Sequence, residues 1–212
     1  MNVRLIASTS PKNSQMANAA QLLGYCARVS NPSNQENHET AEKLLAYCAR
    51  NGHWSVFEMA NLVLEIEAPR DIARQILRHR SFSFQEFSQR YAQSTEFTTR
   101  EPRLQDDKNR QNSLPMDDDA SSRWFLNAQE TIQKITQATY EQALSKGIAK
   151  ECARVILPEG LTMSRMYVNG TLRSWIHYCE VRRHESTQKE HRVVAEKVWQ
   201  IVCDEFPCLE AM

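Results

Sequence analysis

Between Pro69 and Tyr91 the hydrophobic period changes once, and that change limits what the chain can fold into. In PRDIARQILRHRSFSFQEFSQRY, Ala73, Ile76 and Leu77 recur at helical spacing behind Pro69, a residue suited to the first turn of a helix. From Ser81 the pattern alternates. An extended chain puts Phe82, Phe84, Glu86, Ser88 and Arg90 on one side and Ser83, Gln85, Phe87, Gln89 and Tyr91 on the other. A helix therefore delivers Arg78, His79 and Arg80 at its end, and a strand-like segment follows. The stretch holds Arg70, Arg74, Arg78, Arg80, Arg90 and His79 against only Asp71 and Glu86, in a chain whose formal net charge is zero. Unpaired guanidinium groups resist burial. A planar, hydrogen-bonding anionic ligand accounts for this concentration better than a solvated helix end does.

Two hundred and twelve residues are enough for one substantial core, and 41% hydrophobic with 25% charged residues is ordinary for a globular protein. The N-terminus shows no basic segment followed by an apolar run, and no apolar stretch approaches the ~18 residues of a membrane span. The expectation is a cytoplasmic protein, in a host cytoplasm if the gene is viral. With five glycines there is no glycine-rich phosphate loop and no dinucleotide fingerprint. Cys26, Cys48, Cys152, Cys179, Cys203 and Cys208 contain no pair separated by two residues, so they do not read as metal ligands. They are expected to be reduced, small core residues, and no metal site is expected.

Taken in order, the chain predicts a strand over Asn2–Ser8 and helices over 17–29 and 36–50, the second closed by Asn51-Gly52. Leu62, Leu64 and Ile66 alternate as in a strand. Residues 95–121, with Asp106, Asp107, Asp117, Asp118 and Asp119 between Pro102 and Pro115, read as a mobile acidic excursion. A long helix is predicted over 123–145, with Phe125, Ala128, Ile132, Ile135 and Thr139 on one face. Another covers 148–157 and stops at Pro158. Residues 162–168 alternate as a strand, Gly170 is expected to open a helix running to Arg182, and the last helix spans 185–202.

Arg78-His79-Arg80, seven residues, then Ser88 and Arg90-Tyr91, with Gln75 ahead and Glu86 inside, resembles the signature of the flavin-dependent thymidylate synthases. A second match is His53, Ser55 and Glu58, which has the type and spacing of the family's His-x-Ser-x-x-Glu segment. A third is LRSWIHY leading to Val181-Arg182. There Arg173 and His177 lie four residues apart and share a helix face. Arg154, before VILP, resembles the family's other nucleotide-binding arginine. Gln85 stands where many members carry asparagine, Asn169 is spaced four residues before Arg173 rather than two, and Ser186 replaces a histidine of some relatives. The likeness runs from His53 to about Arg192, with the acidic middle unmatched in detail.

The resemblance implies an α+β fold, a mostly antiparallel twisted sheet flanked by helices, as a single domain over residues 1–212. It implies reductive methylation of dUMP to dTMP, with methylenetetrahydrofolate as carbon donor and FAD, reduced by NADPH, as hydride source. By the same likeness dUMP is bound by Gln75, Arg78, Glu86, Phe87, Ser88, Gln89, Arg90, Arg154 and Arg182, and Arg182 stabilises negative charge on the pyrimidine. FAD is bound by His53, Ser55, Glu58, Arg78, His79, Arg80, Ser81, Gln85, Glu86, Asn169, Arg173 and His177. A homotetramer with shared sites is also implied, without nucleic acid or membrane partners.

Two other readings stay open on the residues alone. Cys152 or Cys179 as a thiolate nucleophile needs an accessible, activated thiol. Arginines interleaved with Phe82, Phe84, Phe87 and Tyr91 also suit a single-stranded nucleic-acid platform over residues 70–91. Zero net charge and the acidic stretch weigh against the latter.

Overall fold

In the computed structural model, which describes residues 1–94 and 96–210, the chain begins with β1 (Asn2–Ser8), α1 (Ala19–Ala27) and α2 (Ala41–Arg50). It continues through β2 (Asn61–Pro69), α3 (Arg70–Ile76), β3 (Ser83–Glu86) and a hairpin of β4 (Arg103–Gln105) and β5 (Ser113–Pro115). Then come α4 (Asp119–Ser145), α5 (Lys150–Ala153), β6 (Met163–Thr171), α6 (Leu172–Arg182) and α7 (Lys189–Glu205). Four strands form one sheet in the order β1-β2-β6-β3, every neighbour antiparallel. This is the expected α+β arrangement. No helix among the described residues is long and apolar enough to cross a membrane.

Alternation sets the register. Leu64 pairs with Leu5 on one side and Val168 on the other, and Ile66 faces Val3 and Met166, so one sheet face is a continuous apolar surface. Against it pack Leu23, Leu45, Trp175, Cys179, Val194 and Val198, all fully or almost fully buried. The Trp175 indole donates to the Leu62 carbonyl at 3.1 Å, which ties α6 to the central strand. The other face is polar. It carries Arg165 and Asn169 exposed, and Glu65 buried beneath an ion pair with Arg4 at 2.6 Å.

Gly170 does not open a helix. It lies in β6, and a Cβ there would come within 2.2 Å of the Phe82 ring. The glycine lets Phe82 lie over the strand and reach Trp175, ring centroids 4.3 Å apart. The helix starts instead at Leu172, capped by Thr171, whose hydroxyl accepts from the Ser174 amide at 3.2 Å. The strand-like pattern after Ser81 is also shorter than expected. β3 ends at Glu86, and Ser88 opens a turn in which the Tyr91 amide donates to its carbonyl at 3.1 Å.

Residues 96–118 are more structured than an acidic excursion suggests. β4 and β5 pair as a hairpin, with Pro115 inside β5, and the segment before them is strapped down. Arg100 forms a two-pronged ion pair with Asp71 at 2.8 and 2.9 Å, and Arg103 reaches Glu190 at 2.8 Å. The arginines of this stretch, Arg100 and Arg103, hold it down where its acids alone suggest mobility.

α4 turns a different face inward from the one its apolar stripe implies. Gln129, Thr136, Tyr140 and Ala143 are its buried residues. The Gln129 amide bonds both the N–H and the carbonyl of Arg100 at 2.8 Å, and Gln133 donates to the Thr98 carbonyl at 2.6 Å. Ile132 and Ile135 are left 48% and 62% exposed. The amide stripe serves the strap, so the apolar stripe points outward.

Candidate active site

Three stretches remote in sequence converge on one cleft. It encloses about 560 Å³ and is lined by Glu58 from the turn Trp54–Met59, by Ser81 behind α3, and by Arg173, Ser174 and His177 of α6. Trp54, Thr171, Ile176 and Glu180 complete its wall. Arg173 is ion-paired with Glu58, which fixes the turn against the helix. Glu58, Ser81, Arg173 and His177 are thus brought together as the sequence expected. His53 and Ser55 are exposed, and the His53 ring packs edge-on against Tyr47 at 5.9 Å rather than lining the cleft. Asn169 and Gln85 are exposed on the polar sheet face, away from α6, so within one chain they do not reach the cleft either.

Arg78 and Arg80 end the α3 segment exposed to solvent, and among the described residues neither has a carboxylate within ion-pair distance. Two permanent cations on the segment that leads into Ser81 of the cleft, with the hydroxyl and imidazole groups of its lining, make a donor set that fits a phosphate-bearing cofactor such as FAD.

His79 and Arg182 join this cleft to a second cluster. The Arg182 Nε donates to His79 Nε2 at 2.8 Å, so the imidazole accepts and is neutral. Burial, then the Arg182 and His177 charges, push the His79 pKa down to about 4. The ring packs edge-on against Tyr178 at 5.0 Å. Arg173 and His177 thus serve the cleft while Arg182 reaches across to the helix end.

Glu86 organises the other side. It accepts from Ser164 Oγ at 2.8 Å and lies 3.4 Å from Arg70 and 3.8 Å from Arg74. Burial pushes the Arg70 pKa down, Glu86 opposes this, and the charges of Arg74 and Arg154 add to the downward push. This cationic group faces two carboxylates, Glu86 and Glu159, the latter 3.0 Å from Arg74. Arg90 pairs with Glu151 at 3.2 Å, three residues before Arg154, so the turn after β3 meets α5. The backbone at 87–90 is shaped by short bonds. The Phe87 amide donates to the Arg165 carbonyl at 2.8 Å, and Ser88 Oγ accepts from the Arg90 amide at 3.3 Å. The Gln89 side chain is buried and turned toward Ser94, leaving only its backbone for a ligand.

Gln75 is half-buried and held on both sides, by Gln188 at 2.8 Å and by His191 at 3.2 Å. The sequence reading missed Gln188, Glu190, His191 and Tyr178. His191 repeats with Val194, Ala195 and Val198 at helical spacing, so it reads as one more core position.

The cysteines are all free. Cys179 is fully buried, its thiol directed at the Ala195 carbonyl at 3.8 Å, and burial pushes its pKa far above the ordinary thiol value. That environment opposes a thiolate nucleophile. Cys152 is exposed at the start of α5.

Comparison with known proteins places these features in one family. The profile of the thymidylate synthase complementing protein family, Thy1, matches residues 4–208. A flavin-dependent thymidylate synthase of Synechocystis is 51% identical over 214 residues, covering 100% of this chain and 98% of its own length. A probable flavin-dependent thymidylate synthase of Paramecium bursaria Chlorella virus 1 is 48% identical, covering 99% and 97%. In three dimensions the chain is similar to the UMP/dUMP methylase PolB of Streptomyces cacaoi bound with 5-Br dUMP. The TM-score is 0.82 at 25% identity, covering 98% of this chain and 91% of that one. The chain therefore belongs to the thymidylate synthase complementing protein family, that of the flavin-dependent thymidylate synthases, and is an enzyme of that kind.

Proposed function

We propose that the protein methylates dUMP reductively to dTMP, taking carbon from methylenetetrahydrofolate and reducing equivalents from NADPH, in the cytoplasm and as one domain spanning residues 1–212. The observation that carries this reading is the convergence of Ser81, which directly follows Arg78-His79-Arg80 in the chain, with Glu58, Arg173 and His177 on one cleft. FAD bound there supplies the redox chemistry.

The chain's own residues supply position and field. Arg78, His79, Arg80, Ser81, Arg173 and His177, with Glu58 braced against Arg173, hold the flavin. Arg90 and Arg154, with Arg78 and the backbone of Phe87, Ser88 and Gln89, take the nucleotide phosphate through charge-assisted bonds. Glu86 orients the surrounding arginines, and Gln75 donates to the nucleotide. Arg182 stabilises negative charge on the pyrimidine, which makes its carbon 5 nucleophilic without a cysteine adduct. Its bond to a neutral His79 keeps the full positive charge available, because the imidazole carries none.

His53, Ser55, Gln85 and Asn169 are assigned to the flavin of a neighbouring subunit in a homotetramer with shared sites. The exposed Ile132 and Ile135 on α4 and the open polar sheet face support such an assembly. Light scattering at micromolar concentration is expected to give four chains, and a monomer contradicts it.

The test of activity is a reaction of the protein with FAD, dUMP, methylenetetrahydrofolate and NADPH. We expect dTMP, and no dTMP when any one component is left out. Failure to form dTMP by a flavin-loaded protein overturns the reading. Salt-dependent binding of single-stranded oligonucleotides by a colourless protein supports the nucleic-acid alternative instead.

A further inference from the structure

Behind Gln75 runs a line of polar groups whose direction is set at one end. Glu190, only 7% exposed, is a carboxylate and accepts only. It receives Arg103 Nη2 at 2.9 Å and Gln188 Nε2 at 2.9 Å. The Gln188 amide thereby has its oxygen free, and Gln75 Nε2 donates to that oxygen at 2.8 Å. Gln75 Oε1 must then accept, and the group opposite it is His191 Nδ1 at 3.2 Å. An amide oxygen has no proton to give, so Nδ1 carries the hydrogen. Nε2 of the same ring is left bare and accepts from the Tyr178 hydroxyl at 3.0 Å. Both Tyr178 and His191 are fully buried, so no water competes for these atoms.

We propose that His191, backed by Tyr178, is a positioning residue that locks the Gln75 amide with its nitrogen toward the nucleotide side, so that Gln75 can act there only as a hydrogen-bond donor. This rests on the reading of Gln75 as a dUMP contact. Gln188 takes one of the two Gln75 amide hydrogens and leaves the second for an acceptor oxygen of the nucleotide. Without His191 the Gln75 oxygen loses its donor and the amide is held by the Gln188 bond alone, so its second N–H is no longer fixed toward the acceptor. The burial that surrounds His191 and the nearby Arg182 charge keep the ring neutral, with its pKa pushed down to about 3. The relay thus holds one polarity throughout the working range of the enzyme.

The holoenzyme is tested with three variants and one spectroscopic measurement. His191→Leu removes the donor to Gln75. It is expected to raise the KM for dUMP about tenfold, leaving kcat within about threefold and flavin content unchanged, as loss of one ground-state contact does. His191→Asn puts an amide N–H near the place of Nδ1–H and is expected to recover most of the affinity. A purely structural role moves stability or kcat instead and gives no such recovery. The ¹⁵N spectrum of the unsubstituted protein is expected to show His191 protonated at Nδ1 and bare at Nε2. The opposite tautomer, or an unchanged KM in a folded, flavin-loaded His191→Leu protein, overturns the proposal. Should His191→Leu not fold, the tautomer and the His191→Asn kinetics decide it. Gln75→Ala separates the two readings. If it leaves the KM for dUMP unchanged, the nucleotide contact itself is wrong and the proposal falls with it, whatever the tautomer.

Discussion

Arg78 and Arg80 differ from Arg100 and Arg103 in their exposure and in the acids around them. The first two sit exposed with no carboxylate in ion-pair reach among the described residues. The second two are largely covered and locked to Asp71 and Glu190. Guanidinium groups that are both covered and paired, as Arg100 and Arg103 are, tie segments together, while exposed ones without acids have their whole charge to give a ligand. Each pair therefore predicts a different defect when cut.

The largest effect is expected at Arg182. Arg182→Ala leaves the His79 ring packed against Tyr178 and is expected to lower kcat by ~10²–10³, the usual loss for a single group that stabilises developing charge. A loss of flavin with unchanged turnover per bound flavin contradicts that role. Arg78→Ala comes next. Losing charge-assisted hydrogen bonds of ~1.5–3 kcal/mol weakens ligand affinity ~10–100-fold. Its thermal midpoint is expected to stay within about 2 °C of the parent, since Arg78 supports no ion pair.

Arg103→Met inverts this pattern. It leaves the Glu190 carboxylate, at 10% side-chain exposure, with only Arg100 at 3.8 Å and the Gln188 amide at 2.9 Å. The expected cost is on the order of 2–3 kcal/mol, at or below the lower end of the ~3–5 for breaking a fully buried pair. That is a drop of roughly 5–10 °C in a chain of this size. If Arg103→Met melts like the parent and Arg78→Ala does not, the division between structural and functional arginines is wrong.

Acid stability is a smaller effect. The folded pKa values of His79 and His191 lie at about 4 and about 3, below the ordinary histidine value, because burial and then Arg182 disfavour their charged forms. His177 adds to the effect on His79, and His79 adds to that on His191. The unfolded chain binds protons that the folded chain refuses. Stability is therefore full above ~6.5 and declines as pH falls from there toward 4 and 3. Between ~6.5 and ~5.5 carboxylates have hardly begun to titrate, so the slope there belongs to the histidines. Urea midpoints measured across that window are expected to fall for the parent and to fall less steeply for His191→Leu. The smallest effect is expected at the cysteines. Cys152→Ala and Cys179→Ala are each expected to keep activity within about threefold per folded, flavin-loaded chain. Complete loss of turnover with normal flavin content points to a thiolate mechanism instead.

What was legible in the sequence follows the same division. The sheet and the buried face of α6 show as alternation and helical spacing because their partners lie in this chain. The Leu62–Leu64–Ile66 row and Trp175 are examples. The cleft residues Ser81, Glu58, Arg173 and His177 follow from the family resemblance, to which helical spacing adds that Arg173 and His177 share a face. The acidic stretch was misread because ion pairs such as Arg100–Asp71 and Arg103–Glu190 join residues 29 and 87 positions apart, which no local pattern reports. Gly170 was misread for a related reason. Its need for space comes from the Phe82 ring on another segment, and alone it looks like punctuation. The α4 stripe was a sound pattern with the wrong partner assumed. Gln129 and Gln133 hold the chain's own strap, and the isoleucines are left for something else.

The central claim is that the cleft between the arginine-rich segment and α6 holds a flavin. The most direct measurement is the absorption spectrum of the purified protein, incubated with FAD and desalted, compared with that of an Arg78→Ala, Arg173→Ala double variant. The account predicts flavin bands near one equivalent per chain in the parent and their loss in a variant that remains folded. A parent protein that stays colourless, or a variant that keeps its full flavin, contradicts it.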